Sequence, residues 1–404
     1  MDYERSAILD ALTSFVDDTV VPMETANTNL LQGERGPYGP NGSYSPEVLE
    51  LMRKVREPSA ALGYYTLFAP ESVGGGGLGA EDLFLVWERL HERYGPKRIL
   101  PYEAVAHWTS GPSFLLDHLS ADLPASIHEA IMKGTSTTCF AMSEPEAGSD
   151  VMSMTTSAKP DGEGWRINGT KQWISNAHHA DWVFVFVATG GKRGERTHDQ
   201  ISCLLVPTDS EGFNRDSVIR LFGDIGGNEA ILSFDNVYVG PEHVVGEFGH
   251  GFALALEGVA QGKLYNAGRC VGLARWAIET ALSYARDRHT FGRSIMDHQG
   301  VSFQLADCAI EYYAARSMAL SCARKMDNGE KAILELAAVK AYTTEMCFNV
   351  FDRCMQVLGG MGITNDTKLY DGWHTARTVR IADGTAEIMR RTIVNRLQRG
   401  EFPA

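Results

Sequence analysis

An acid beside a glycine turn near the C-terminus is the first place to look for chemistry: Ile381-Ala382-Asp383-Gly384-Thr385-Ala386-Glu387-Ile388. An apolar-periodic run (Ile388, Ile393, Val394, Leu397) follows it, with Arg390, Arg391 and Arg396 interspersed, so a helix is expected to begin here. A carboxylate at the positive end of a helix is favoured in its ionised form by the unpaired amides of the first turn, which suits a base held ready. Asp and Thr are equally at home as plain helix caps. The octapeptide alone is compatible with both.

Other stretches bear on that choice. Phe140-Ala-Met142-Ser143-Glu-Pro145-Glu-Ala-Gly148-Ser149-Asp150 joins a fixed proline dihedral to a glycine that lets backbone approach a ligand, with hydroxyls beside it. A turn ahead of a strand needs the same residue types. In Lys171-Gln-Trp173-Ile174-Ser175-Asn176 an indole lies two residues from a hydroxyl, so a strand presents both on one face, as a planar ring with polar edges requires. Core burial is the commoner fate of a Trp. Arg286, Arg288, His289 and Arg293 crowd the segment Tyr284 to Gln299, which suits a pyrophosphate or a solvated helix end. Finally, Gln356-Val-Leu-Gly359-Gly360-Met-Gly362 ends a helical pattern with glycines whose amides could meet a phosphate or ribose.

The elements that must position these residues follow from periodicity. Helical spacing runs through Ile8 to Val16, Val48 to Val55, Glu81 to Tyr94 and Leu123 to Met132. The loop Pro70 to Gly79 is the most glycine-rich stretch; it lacks the Lys-Ser/Thr of a P-loop and reads as a connector whose backbone passes close to something. Alternation then takes over: an Asn-Gly hairpin signal after Trp165, a buried-strand run at Trp182 to Val187, and further strands at Ile201 to Val206 and Ala230 to Val239. Long helices are expected at 251–288, 298–327, 331–358 and 385–398, an antiparallel bundle. The reading is α+β and multidomain: an N-terminal helical domain over 1–134, a middle β domain over 135–247 and a C-terminal bundle over 248–404.

Composition narrows the function. A net charge of −14 disfavours general nucleic-acid binding, which needs clustered Lys and Arg. The seven cysteines form no C-x-x-C and no metal-ligand spacing with His, so reduced thiols and no metal are expected. The opening MDYERSAILDAL is neither a secretory signal nor an Arg-rich transit peptide, and no apolar run reaches membrane-spanning length. A cytoplasmic protein is the expectation.

In this order and at these separations the stretches resemble the acyl-CoA dehydrogenase family, over nearly the whole chain. The resemblance implies an α-helical domain, a middle β domain and a four-helix bundle. It further implies non-covalent FAD and a homotetramer in which one subunit's bundle completes its neighbour's flavin site. Carried over by position, Phe140, Met142, Ser143, Gly148 and Ser149 would line the flavin, and Trp173, Ile174 and Ser175 would pack on its ring system and N5 edge. Arg288, Thr290, Gln299, Gln356, Gly359 and Gly360 would reach the adenosine diphosphate half from the neighbouring subunit, while Thr385 and Glu387 would touch the flavin again. Ser149 and Gly384 fall to the acyl-CoA substrate.

Asp383 lies where most members carry the catalytic Glu. The family's reaction removes the α proton of an acyl-CoA with that carboxylate while the β hydrogen leaves as hydride to flavin N5, giving a trans-2-enoyl-CoA. Asp is shorter by one C–C bond, about 1.5 Å, so a shifted loop, a substrate drawn deeper or altered chemistry is implied. Another subgroup places its Glu at the position of Gly262, which leaves Asp383 as the candidate. Ala382 opens space near Cα for a branched, cyclic or hydroxylated chain, and Lys263 and Asn395 stand where straight-chain members have substrate-binding Arg. Val379-Arg-Ile-Ala-Asp-Gly with Gly262-Lys263-Leu264 is most similar to the branch containing human family members ten and eleven, linked to 4-hydroxyacyl-CoA breakdown; Thr385 departs from its Pro. Electron-transfer flavoprotein would be the acceptor, in β-oxidation or related fatty acid metabolism. The alternative is an oxidase of the same fold, since nitroalkane oxidases resemble the family and also use an Asp.

Overall fold

A computed structural model describes residues 3–403, so Met1 and Asp2 of the acidic opening lie outside the described residues. Contacts group the chain into two compact units, one of residues 14–78 and 99–258 and one of residues 3–13, 79–98 and 259–403.

The first unit is built on a sheet of eight strands: β1 (Thr138–Ala141), β2 (Ser157–Asp161), β3 (Gly164–Ser175), β4 (Trp182–Ala188), β5 (Ile201–Pro207), β6 (Phe213–Ile219), β7 (Glu229–Val239) and β8 (Val244–Val245). Their order is β6-β7-β3-β2-β4-β5-β8, with β1 parallel to β4. The unbroken apolar run in β4 has a physical reason, because both faces of that strand are covered. Val183, Val185 and Val187 enter a core with Ile167, Ile174 and Leu232, while Phe184 and Phe186 enter another with Trp108, Leu115 and Ile131.

The Asn-Gly pair expected to turn a hairpin does not. Asn168 and Gly169 lie inside β3, where the register against β7 slips between Ile167 and Gly169, and Gly169 has φ +145°. The pair makes a bulge, and the hairpin between β2 and β3 turns instead at Gly162, φ +61°. A second slip in β3, between Gln172 and Ile174, leaves Trp173 as the extra residue at φ +66°.

The second unit is helical: α1 (Ala80–Tyr94), α2 (Gly251–Asp287, from residue 259 onward), α3 (Gln299–Asp327), α4 (Ile333–Leu358), α5 (Leu369–Val379) and α6 (Ala386–Leu397). The four long helices expected from periodicity are present within a few residues. The sequence reading did not include α5, which buries Leu369, Gly372, Ala376 and Val379 and is preceded by Lys368 in the left-handed region, φ +59°. Ion pairs tie α1 to α3: Glu88 takes both nitrogens of a bidentate Arg316 (2.6 and 3.0 Å) and Glu81 pairs with Arg324 (2.9 Å). The Asp327 carboxylate accepts the first amides of α1, from Ala80 (2.5 Å) and Glu81 (3.0 Å), and so serves as its cap. Among the described residues no helix is long and apolar enough to cross a membrane.

The glycine-rich loop packs on its own chain. Gly75, Gly76 and Gly77 donate to the carbonyls of Pro70, Thr66 and Ala69 at 2.9–3.0 Å, and a Cβ on Gly75 would stand 2.2 Å from the Ala69 carbonyl oxygen. Gly75→Ala should therefore cost about 2 kcal/mol of overpacking, seen as a lower urea midpoint. Gly148→Ala, where a Cβ meets nothing within 4 Å, should leave that midpoint in place; equal effects would contradict the account.

Candidate active site

Within the sheet unit, the segment after β1 is pinned to β3 by a fully buried ion pair. Lys171 donates to Glu144 (2.9 Å) and to the Met142 carbonyl (2.9 Å), and neither charged side chain is more than 1% exposed. Glu144 also accepts from the Thr155 amide (2.6 Å), the Thr155 hydroxyl (2.8 Å) and the Thr156 amide (2.9 Å). Burial alone would raise its carboxyl; the Lys171 charge and these donors outweigh that and hold it at about 2. Ser143 completes the link, its amide oxygen accepting from Gln172 N (2.9 Å) and its hydroxyl donating to the Gln172 carbonyl (2.7 Å).

This frame presents Trp173 and Ser175 outward. Trp173 is 52% exposed rather than core, because the bulge turns it out of the sheet, and Ser175 is exposed beside it. Ile174 between them is buried as a whole residue in the sheet core and paired with Ala230 on β7, so it does not share that surface as expected. Phe140 and Met142 are half-buried against the second core, with Phe140 edge-on to Trp108 at 4.8 Å. Gly148 and Ser149 are exposed, and a Cβ on Gly148 would meet open space. A ring to be stacked and a polar edge to be hydrogen-bonded both find partners here, so the residues fit a flavin.

Within the helical unit, Thr385 is the cap of α6, its hydroxyl accepting from the Ile388 amide at 3.3 Å. Asp383 caps nothing. It sits at φ +52°, and its Oδ2 accepts a 2.7 Å hydrogen bond from Asn266 Nδ2 on α2. The expectation that first-turn amides favour its charge is thus replaced by a different environment. Burial pushes the Asp383 carboxyl up, and the charges of Lys340 and Lys263 together with the Asn266 bond act against that. Lys340 is fully buried on α4 and donates to the carbonyls of Arg380 (3.2 Å) and Gly384 (2.5 Å); burial brings its ammonium down to about 8 against the pull of Asp383. Burial likewise lowers Lys263.

The other expected positions are surface features of the same unit. Arg288 and Thr290 border a hairpin, His289–Thr290 against Arg293–Ser294, between α2 and α3, and Arg288, His289 and Arg293 are exposed. Gln299 opens α3; Gln356, Gly359 and Gly360 are exposed at the end of α4, and Glu387 is exposed on α6. Sequence reasoning missed Asn266 and Lys340. The signal was a polar residue on a buried helical face: Asn266 among Leu264, Ala267 and Val271, and Lys340 among Ala337, Val339 and Ala341.

Comparison with known proteins follows the same lines. The family model "Acyl-CoA dehydrogenase, middle domain" matches residues 139–237, and "Acyl-CoA dehydrogenase, C-terminal domain" matches 249–398. A probable acyl-CoA dehydrogenase of Mycobacterium tuberculosis is 32% identical over 353 residues, 86% of this chain and 89% of that one. The mitochondrial short-chain specific acyl-CoA dehydrogenase of Homo sapiens is 30% identical over 338 residues, 84% of this chain and 81% of that one. The solved structure of a probable acyl-CoA dehydrogenase from Mycobacterium abscessus matches with a TM-score of 0.83 at 26% identity, covering 98% of this chain and 99% of that one.

The Glu144–Lys171 pair has a pH signature. A carboxyl at about 2 when folded and near 4.5 when exposed contributes stability that is whole above pH 4.5 and is lost as pH falls toward 2. Lys171→Met leaves Glu144 buried without its cation and should cost about 3 kcal/mol at neutral pH. In urea titrations that deficit should shrink between pH 4.5 and 2; a deficit constant with pH would contradict the assignment.

Proposed function

The chain belongs to the acyl-CoA dehydrogenase family, and from that premise we propose that Asp383 is the base of an α,β-dehydrogenation yielding a trans-2-enoyl-CoA. FAD is the family's cofactor and, when bound, supplies the acceptor for the β hydride. The observation that carries the reading is the half-buried Asp383 carboxylate itself, pushed up by partial loss of water and standing beside two lysines, with Oδ2 anchored and Oδ1 taking no hydrogen bond among the described residues. Such a group can receive an α proton.

The remaining roles follow from what each residue presents. Trp173 offers an exposed indole for stacking and Ser175 a hydroxyl for the ring's edge. Phe140, Met142, Ser143, Gly148 and Ser149 would line the same cofactor, with Thr385 and Glu387 at a second contact. The exposed Arg288, Gln299, Gln356, Gly359 and Gly360, with the half-buried Thr290, would serve the adenosine diphosphate half bound by a neighbouring subunit of a homotetramer. Ser149 would hold part of the CoA, and Gly384, whose carbonyl is taken by Lys340, would offer its amide to the thioester. Ile381-Ala382-Asp383-Gly384 and Lys263 support kinship with the branch of human family members ten and eleven and a branched or 4-hydroxylated acyl chain. Electron-transfer flavoprotein as acceptor, β-oxidation and a bacterial cytosol complete the proposal.

Asp383→Asn should keep its flavin and its fold while the rate of flavin bleaching by acyl-CoA falls about 1,000-fold, followed anaerobically by stopped-flow absorbance. Undiminished bleaching in that variant would overturn the assignment. Asp383→Glu tests reach: faster turnover of straight chains would support a pocket fitted to the shorter acid.

A further inference from the structure

We propose that Asn266 and Lys340 are the positioning residues of the base: Asn266 anchors one carboxylate oxygen so that the other faces the substrate, and Lys340 clamps the turn that carries Asp383. This rests on the reading of Asp383 as the base.

The geometry argues for each part. An aspartate has a short arm and only two side-chain torsions, so its carboxylate goes where the backbone turn and one good hydrogen bond send it. The turn is unusual, because Asp383 at φ +52° occupies a region that non-glycine residues enter at a cost and hold only when their surroundings enforce it. Lys340 supplies that enforcement. Its ammonium reaches the carbonyl of Arg380 (3.2 Å), three residues before Asp383, and that of Gly384 (2.5 Å), immediately after, so the turn is tied on both sides of the base.

Asn266, almost fully buried, then fixes the carboxylate itself through the 2.7 Å bond to Oδ2. The groups that face Asp383 are Lys263, Tyr265 and Asn266 from α2 and Lys340 from α4; Glu387 on α6 also acts on Lys340. Two cations stand near the carboxylate, yet the residue hydrogen-bonded to it is the neutral amide. Asn266 can therefore orient the base without closing it into an ion pair, and Oδ1 stays open to the α proton.

The test separates orientation from folding by reading the proton step alone. FAD-loaded enzyme is pre-reduced so that no hydride can be accepted, and exchange of the α hydrogens of an acyl-CoA with deuterium from D2O is followed by mass spectrometry across pH. Asn266→Leu removes the donor at similar size; without that bond the carboxyl protonates more readily, and the acid limb of the exchange rate should move up by about one pH unit. Asn266→Gln, which keeps an amide, should bring the limb back toward the parent. If the leucine variant does not fold, Asn266→Ala carries the same expectation. Lys340→Met, which frees the turn, should lower the plateau rate about tenfold, and Lys340→Arg should recover part of it. An acid limb unmoved in the folded Asn266 variants overturns the positioning role while Asp383 stands as base. Undiminished exchange in Asp383→Asn overturns the base reading itself.

Discussion

Taking a carboxylate out of water costs several kcal/mol unless donors replace the lost hydration, and this protein meets that constraint in two opposite ways. Glu144 is saturated: four hydrogen bonds from Thr155, Thr156 and Lys171 leave its oxygens nothing further to do, and its carboxyl is held near 2. Asp383 is half-buried and among the described residues accepts one such bond, from Asn266, while its two cations stand off from it. The saturated acid holds structure together. The undersatisfied one is the base we propose, and the same physics that pushes its carboxyl up would make it a stronger base once ionised.

The two carboxylates divide the work between the units that hold them. In the sheet unit, Glu144 and Lys171 lock the segment after β1 against β3 just ahead of the bulge, so the irregular backbone at Trp173 rests on a rigid base. A regular strand would pair Trp173 against β7; the bulge removes it from the ladder and leaves its indole half exposed. In the helical unit, the cation plays the same part from below. Lys340 is buried in α4 and organises a turn by its carbonyls, as Lys171 does through Met142. A lysine bonded to backbone carbonyls is a clamp, and each clamp lies within a few residues of an expected functional group.

Much of this could be read in the chain beforehand. Helical and alternating periods locate the long helices and the sheet because they record which faces are buried, and the apolar run of β4 records burial on both. The Asp383 and Trp173 stretches stand out because their residue types are costly where they occur. Asn168-Gly169 misled because a positive φ serves a bulge as well as a turn, and only pairing with β7 distinguishes them. Asn266 and Lys340 were not legible as partners of Asp383, since they lie 117 and 43 positions away and the fold alone brings them together. The short helix α5 escaped because two of the four residues on its buried face, Gly372 and Ala376, are too small to mark an apolar stripe.

The most direct test of the central claim is an anaerobic titration of the flavin-loaded protein with straight-chain, branched and 4-hydroxy acyl-CoAs, followed by flavin absorbance. The account predicts stoichiometric bleaching by a branched or 4-hydroxylated thioester. Failure of every thioester, with bleaching by a nitroalkane, would contradict it and leave Asp383 as the base of an oxidase.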